Sequence, residues 1–435
     1  MRAMFKPVAI AAVMVVGVLA AGAASAQIAV GGGATLPELL YDDALPSGVG
    51  LTDFSYTGTG SGAGKTAFFT NNATGFKNES LATTPAWGAT QSVHFAGSDS
   101  LMTAAERNSY TNDVFPAGGT QTRQAAWGRQ IQLPTVATSV LIPYKRTGVS
   151  TLNLTDAQMC AVFANKPLIT TTQPNLMWEQ VLGTATTANP GTNLVRVVYR
   201  SETSGTTELL SRYLVEACPG AGFVVSNSFT TAVAGALSAA TGSSAIPAHW
   251  VAVTGSSGMS GAFGTDGRVG YLSPEPLYTG SNNAVVARIN GNLPSSSAIK
   301  TQLAGTSLPV GGASQSTDPL AWVPAYSKPA SGYPIFGTTN ILVNQCYKDA
   351  AVQTKVRNFL AKIYGLPAIG ANPATLPDSA TMTKVANHNF IALPDGSVGT
   401  NNWNTQIKNV FLNPSNPLGI GNTSVCASVG RPLTN

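Results

Sequence analysis

The sequence predicts a protein of two lobes that contain strand–turn–helix units. Once a short N-terminal leader is set aside, more than 400 of the 435 residues remain, and a single hydrophobic core does not extend over a chain of that length. Four segments pass from an apolar run, through a turn rich in glycine, serine or threonine, into a helical pattern. The first N–H groups of each such helix lack intrahelical partners, so these turns are suited to holding an anion.

Residues 1–26 have the organisation of a secretory signal peptide. Arg2 and Lys6 are followed by an uncharged apolar run over 8–22 and by small residues (ASA) at 24–26. That run is shorter than the roughly 20 residues that cross a bilayer, and no cysteine follows the cut, which argues against a lipid anchor. We therefore expect cleavage after Ala26, no membrane anchor, and a periplasmic or secreted protein.

Four cysteines in an exported chain suggest two disulfides. Three pairings are possible, and the most local one joins Cys160 to Cys218 and Cys346 to Cys426.

The net charge and the spacing of the histidines argue against a nucleic-acid-binding protein and against a metalloprotein. The net charge of +5 falls to +3 without the leader, on a chain with 10% charged residues, which argues against a nucleic-acid partner. His94, His249 and His388 are far apart and have no metal-ligand spacing. We expect no metal site and no cofactor.

The most informative stretch surrounds Arg200. A buried strand ends at this arginine, and Ser204, Gly205 and Thr206 then open a helix. Free N–H groups, the helix dipole and small hydroxyls favour an anion there, with the guanidinium as a clamp. The alternative is an ordinary capped helix beside a surface arginine.

Two earlier segments repeat this pattern. Thr35 lies at or near the N-cap of a predicted helix, where its hydroxyl and the nearby N–H of Leu36 are expected to face outward. Around Ser61, successive N–H groups after a strand can also cradle an anion, although a flexible surface turn is the alternative. A nucleotide-binding P-loop is excluded, because that motif requires glycine where Thr59 stands.

Asp99 follows the strand of the fourth segment. By itself it is typical of a turn or a cap. Beside an oxyanion site it gains a specific role, because a carboxylate only accepts hydrogen bonds and so favours an oxyanion that still carries a proton. Such a site accepts hydrogen phosphate and penalises sulfate.

Several further elements are predicted from pattern. Residues 132–143 and 333–343 are candidate strands that cross between the lobes, and 103–106 and 155–158 are capping boxes. Helical spacing over 352–363 ends at Gly365.

Taken together, the chain resembles the phosphate-binding proteins of bacterial phosphate-specific ABC transporters, and more closely the secreted DING proteins. The resemblance spans nearly the whole mature chain in order, although the tetrapeptide that names the DING group is replaced by IAVG at 28–31. The matching stretches are 31–37 (GGGATLP), 58–64 (GTGSGAG), 96–100 (AGSDS), 132–139 (QLPTVATS), 198–208 (VYRSETSGTTE), 332–337 (GYPIFG) and 420–432 (IGNTSVCASVGRP).

The resemblance implies an α/β protein with the two-lobed periplasmic-binding-protein (type II) fold and its ligand in the inter-lobe cleft. Lobe I would comprise 27–138 plus 346–435, and lobe II would comprise 139–345. It also implies the Cys160–Cys218 and Cys346–Cys426 pairing. The implied phosphate ligands are Thr35, Leu36, Ser61, Asp99, Arg200, Ser204, Gly205 and Thr206.

The leading functional hypothesis is high-affinity, non-catalytic binding of inorganic phosphate for uptake or scavenging, by a monomer that could serve an ABC permease. The alternative is a secreted phosphatase or phosphate-ester hydrolase, with Ser61 or Ser204 as nucleophile. The sequence argues against this alternative. It shows no metal cluster and no G-x-S-x-G motif, and no histidine lies beside these serines in sequence. An adhesive or matrix protein that keeps only the scaffold is a third class.

Overall fold

A computed structural model of the protein describes residues 28–44, 54–78, 83, 85–170, 172–279, 285–311, 314–366, 379–397 and 401–434. The predicted signal peptide, 1–26, lies outside the described residues.

The described strands are β1 (Ala29–Gly33), β2 (Phe54–Gly58), β3 (Phe95–Ser98), β4 (Gln130–Ser139), β5 (Tyr144–Lys145), β6 (Asn153–Leu154), β7 (Arg196–Arg200), β8 (Val251–Val253), β9 (Arg268–Val269), β10 (Arg288–Ile289), β11 (Val310–Gly311), β12 (Ser314–Gln315) and β13 (Phe336–Asn344).

The described helices are α1 (Glu38–Ala44), α2 (Ser61–Thr70), α3 (Ala104–Asn112), α4 (Arg123–Trp127), α5 (Asp156–Ala164), α6 (Trp178–Val181), α7 (Gly205–Ala217), α8 (Phe229–Thr241), α9 (Gly255–Ala262), α10 (Pro276–Thr279), α11 (Ser296–Ala304), α12 (Ala350–Ile363), α13 (Ser379–Asn387), α14 (Trp403–Phe411) and α15 (Thr423–Cys426). A 3-10 helix covers Pro319–Trp322.

Two sheets organise the molecule. The first has the order β2-β1-β3-β13-β4, and the second has the order β5-β9-β7-β8. The chain leaves the first sheet at the end of β4 and returns to it at β13, and these two strands pair antiparallel along their length. The fold is the two-lobed α/β fold, and we call the parts around the first and second sheets the first and second lobes. β13 belongs to the first sheet, although it falls within the range 139–345 predicted for lobe II. The residue boundaries given above for the lobes remain a prediction.

Alternating side chains cover the two faces of the first sheet, as the two-residue period of a strand requires. Phe95 and Ile341 point to the large core, which also holds Phe359 of α12. Ala96 and Leu342, one residue along each strand, point to a smaller core under α2.

β1 is longer than the sequence pattern predicts, because the glycines after Val30 are part of the strand and not a turn. Gly33 adopts a φ of 137°, and a Cβ there would lie 2.1 Å from the carbonyl oxygen of Gly97 on β3. Only glycine permits β1 to fit between its two neighbours at this point.

Other predicted features are confirmed. Thr103 and Thr155 form capping boxes with Glu106 and Gln158, and Gly365 follows α12 with a φ of 68°. The disulfides join Cys160 to Cys218 and Cys346 to Cys426. In the part of the chain that the structure describes, no helix has the length and the apolar character needed to cross a membrane.

Candidate functional site

The site lies where strands of both sheets end. β1 pairs parallel with β2 and with β3, so the carboxyl ends of all three meet at one edge of the first sheet. The residues that follow these strands include Thr35, Ser61 and Asp99. In open α/β sheets, ligands bind outside this edge.

Ser61 connects the two lobes. Its Oγ accepts hydrogen bonds from the backbone N–H of Asp99 at 3.0 Å and from the backbone N–H of Gly205 at 3.1 Å. Because a hydroxyl has two acceptor lone pairs and one proton, the Ser61 proton is not used in these contacts and remains for a further acceptor. The side chain is fully buried.

The first turn of α7 packs directly on this serine. A Cβ at Gly205 would lie 2.3 Å from Asp99 Cβ and 2.5 Å from Ser61 Oγ. Any larger residue would therefore force the second lobe away from the first. A Cβ at Gly62 would likewise lie 2.0 Å from Thr203 Oγ1, so the opposing surfaces fit closely on this side as well.

Asp99 is a buried acid, with 3% of its surface exposed. Within the described residues, its Oδ1 atom has no hydrogen-bond partner. Burial raises the pKa of Asp99 to about 7, and the Thr339 hydroxyl and the positive charge of Arg200 oppose that rise. A buried acid with an unpaired oxygen and a perturbed pKa is typical of a functional site.

Arg200 ends β7 and is buried to a similar extent. Its Nε donates to Glu202 Oε1 at 2.5 Å, and its Nη2 forms an ion pair with the same oxygen outside hydrogen-bond geometry. Burial raises the pKa of Glu202, but the charge and the hydrogen bond of Arg200 hold it below its usual value. One carboxylate therefore orients the guanidinium, and donors of the guanidinium remain for an anion.

Helix α7 begins with unsatisfied donors. Ser204 is its N-cap, and the Ser204 side chain forms no capping hydrogen bond. The Thr206 hydroxyl is buried and finds no partner among the described residues. The Gly205 N–H donates to Ser61 Oγ. The N–H groups that follow it in this first turn, together with the helix dipole, make the turn a suitable place for an anion.

Thr35 and Leu36 contact the second lobe. Thr35 Oγ1 lies 3.2 Å from Ser256 Oγ, and Leu36 O accepts a hydrogen bond from Ser273 Oγ at 3.1 Å. The structure therefore joins Ser61, Asp99 and Gly205 directly, and it places Thr35 and Leu36 against neighbouring parts of the second lobe.

Sequence reasoning missed Glu202 and Ser256. Glu202 lies within the stretch around Arg200, and its spacing from that arginine was a usable signal. Its Oε1 also accepts the backbone N–H of Gly255 at 3.0 Å, which ties the start of α9 to the same carboxylate. Ser256 lies in a region with weak periodicity, and no local signal distinguished it.

The histidines have other partners. His94 is buried and accepts a hydrogen bond from the N–H of Val30, and burial lowers its pKa to about 3. His388 contacts Glu275 and Asp43. Among the described residues, no group of three His, Cys, Asp or Glu side chains could hold a metal ion.

The chain matches proteins of one family along most of its length. A family model described as a PBP superfamily domain matches residues 19–363. Alkaline phosphatase L of Pseudomonas aeruginosa PAO1 is 40% identical, over 99% of this chain and 100% of that protein. A protein named phosphate-binding protein, from an unknown prokaryotic organism, is 34% identical over 92% of this chain and 99% of its own.

A solved structure agrees with this assignment. It is that of a high-affinity periplasmic phosphate-binding protein (PfluDING) bound with phosphate, and it is 34% identical to this chain. The likeness covers 94% of this chain and 100% of that one, with a TM-score of 0.72. The chain therefore belongs to the PBP superfamily, in the group that includes the DING proteins.

Proposed function

We propose that this protein binds inorganic phosphate, as hydrogen phosphate, between its two lobes and carries out no chemistry on it. The observation that carries the proposal is the buried cluster of Ser61, Asp99 and Gly205, which joins both lobes beside an unpaired acid oxygen. The phosphate-bound relative of the same fold supports the choice of anion.

The binding groups would surround the anion with donors. The Ser61 proton, the guanidinium of Arg200 and the first turn of α7 provide them, and the predicted contacts of Thr35 and Leu36 would add two more. Removing a divalent anion from water is expensive, so tight binding requires a partner for nearly every oxygen lone pair. The Ser204 and Thr206 hydroxyls would supply partners from the second lobe. The Gly205 N–H, which donates to Ser61 Oγ in this structure, would have to turn from that serine to the anion.

Asp99 would set the selectivity. Hydrogen phosphate carries one proton, which the unpaired carboxylate oxygen can accept. Sulfate has no proton near neutral pH, so its oxygen would face an acceptor without a donor between them. The site would therefore reject sulfate by repulsion and not by size.

The same proposal covers location and partners. The predicted signal peptide and the similarity to a periplasmic phosphate-binding protein support a periplasmic or secreted protein that takes up or scavenges phosphate. An ABC permease is the partner we would expect for uptake, and a monomer is the form we expect in solution.

Phosphate-ester hydrolysis is the second candidate, because a relative that is 40% identical carries the name alkaline phosphatase L. Ser61 would be the nucleophile by position. The two hydrogen bonds to its Oγ come from N–H donors, however, and a nucleophile needs a base to take its proton. Asp99 contacts Ser61 through its backbone N–H, so the geometry favours binding.

Two measurements on one preparation separate these functions. The mature protein, stripped of phosphate, is titrated calorimetrically with phosphate and then with sulfate, and hydrolysis of p-nitrophenyl phosphate is followed in parallel. We expect one-to-one phosphate binding and little response to sulfate. Any trace of hydrolysis should be the same in the wild type and in Ser61→Ala. Turnover that is lost with Ser61→Ala would contradict the non-catalytic proposal, and absence of phosphate binding would contradict the binding function itself.

A further inference from the structure

Two serines of the second lobe hydrogen-bond consecutive carbonyls of the first. Ser256 Oγ donates to the carbonyl oxygen of Thr35 at 3.3 Å, and Ser273 Oγ donates to the carbonyl oxygen of Leu36 at 3.1 Å. Both serine side chains are almost fully buried, at 3% and 0% exposure. They reach residues 35–36 from different elements, the first turn of α9 and the loop after β9.

Ser256 is also connected to the arginine side of the site. Its neighbour Gly255 donates its N–H to Glu202, whose carboxylate holds Arg200. The start of α9 therefore contacts the clamp residue of the second lobe through Glu202 and the predicted ligand Thr35 of the first lobe through Ser256. A movement of one would be transmitted to the other through this chain of hydrogen bonds.

The protons of Ser256 and Thr35 can be arranged in two ways. Without an anion, Ser256 gives its proton to the Thr35 carbonyl, and Thr35 Oγ1, 3.2 Å away, can give its own proton to Ser256 Oγ. With an anion present, Thr35 turns its proton toward the anion, and Ser256 remains a donor to Thr35. In both arrangements, Ser256 remains a hydrogen-bond donor to the carbonyl oxygen of Thr35.

We propose that Ser256 and Ser273 are positioning residues for the anion: they fix the Thr35 hydroxyl and the Leu36 N–H only when the lobes are closed. This inference rests on the proposed function. The two serines need not touch phosphate. They stabilise the closed form and orient two of its donors, so their removal should increase the rate at which phosphate dissociates.

The test compares Ser256→Ala and Ser273→Ala with Ser260→Ala. Ser260 is the matched control, since it lies one turn along α9 and its hydroxyl bonds the carbonyl of Tyr278 within the same lobe. Phosphate association and dissociation rates are measured by stopped-flow fluorescence, and the melting temperature is measured with and without phosphate.

We expect each positioning variant to release phosphate up to about tenfold faster, the loss of one net hydrogen bond, with little change in association. For Ser256→Ala, the rise in melting temperature that phosphate causes should be smaller than in the wild type. Dissociation rates equal to those of Ser260→Ala would overturn the inference. Absence of phosphate binding by the wild type would instead overturn the proposed function, so the two failures are distinguishable.

Discussion

Replacing Asp99 by asparagine tests the selectivity mechanism. The two side chains have nearly the same shape, but asparagine has no charge and offers an NH2 group as a donor. The site is buried, with Asp99 3% exposed, so the difference in hydrogen bonding should appear in the binding constants.

The magnitude follows from one charge-assisted hydrogen bond. Such a bond contributes about 1.5–3 kcal/mol, so phosphate affinity should fall by about one to two orders of magnitude. Sulfate affinity should rise, because the repulsive carboxylate is gone and the new amide can donate to a sulfate oxygen. The ratio of the two affinities should therefore fall by more than either constant changes.

The assay is competitive calorimetry with phosphate and sulfate on the wild type, on Asp99→Asn and on Asp266→Asn. Asp266 is a suitable control, since its carboxylate contacts Arg146 and Thr147 at the surface of the second lobe. An unchanged phosphate-to-sulfate ratio in Asp99→Asn would refute the role of Asp99 as the proton acceptor.

Three further predictions concern the same cluster. Arg200→Ala should weaken phosphate binding by about 3–5 kcal/mol, since a buried anion loses its cation; near-wild-type affinity would contradict the clamp. Gly205→Ala should weaken binding by about 1–3 kcal/mol, because its Cβ would overlap Asp99 and Ser61, while the urea midpoint without phosphate changes less. Without ligand, the Asp99 contribution to stability should be complete below its ordinary pKa of 3.8 and be lost as pH rises through about 7. In urea unfolding measured below and above pH 7, the free energy of unfolding should decrease less with rising pH in Asp99→Asn than in the wild type.

Much of the site could be predicted from local pattern. Each predicted ligand follows a strand or opens a helix, and the proposed anion site depends on free N–H groups that such junctions always leave. Parallel pairing of β1 with β2 and β3 then brings Thr35, Ser61 and Asp99 to one edge. The capping boxes needed only a spacing of three residues.

The remaining features depend on contacts between distant segments. The strand over Gly31–33 exists because neighbouring strands approach too closely for side chains, which overrides the weak strand preference of glycine. Ser256 gains its partner only from the packing of one lobe on the other. Arg431 near the C-terminus is fully buried, with its guanidinium 4.2 Å from the ring centroids of Phe68 and Trp127. No local sequence pattern predicts that this arginine is buried.

The location of the bound anion is the central claim, and a crystal structure of the mature protein grown with phosphate tests it most directly. We expect one tetrahedral anion between the two lobes, within hydrogen-bond distance of Ser61 Oγ, the Asp99 carboxylate, the Arg200 guanidinium and the first turn of α7. An anion bound elsewhere, or a site in which Asp99 remains without a contact to it, would contradict the account.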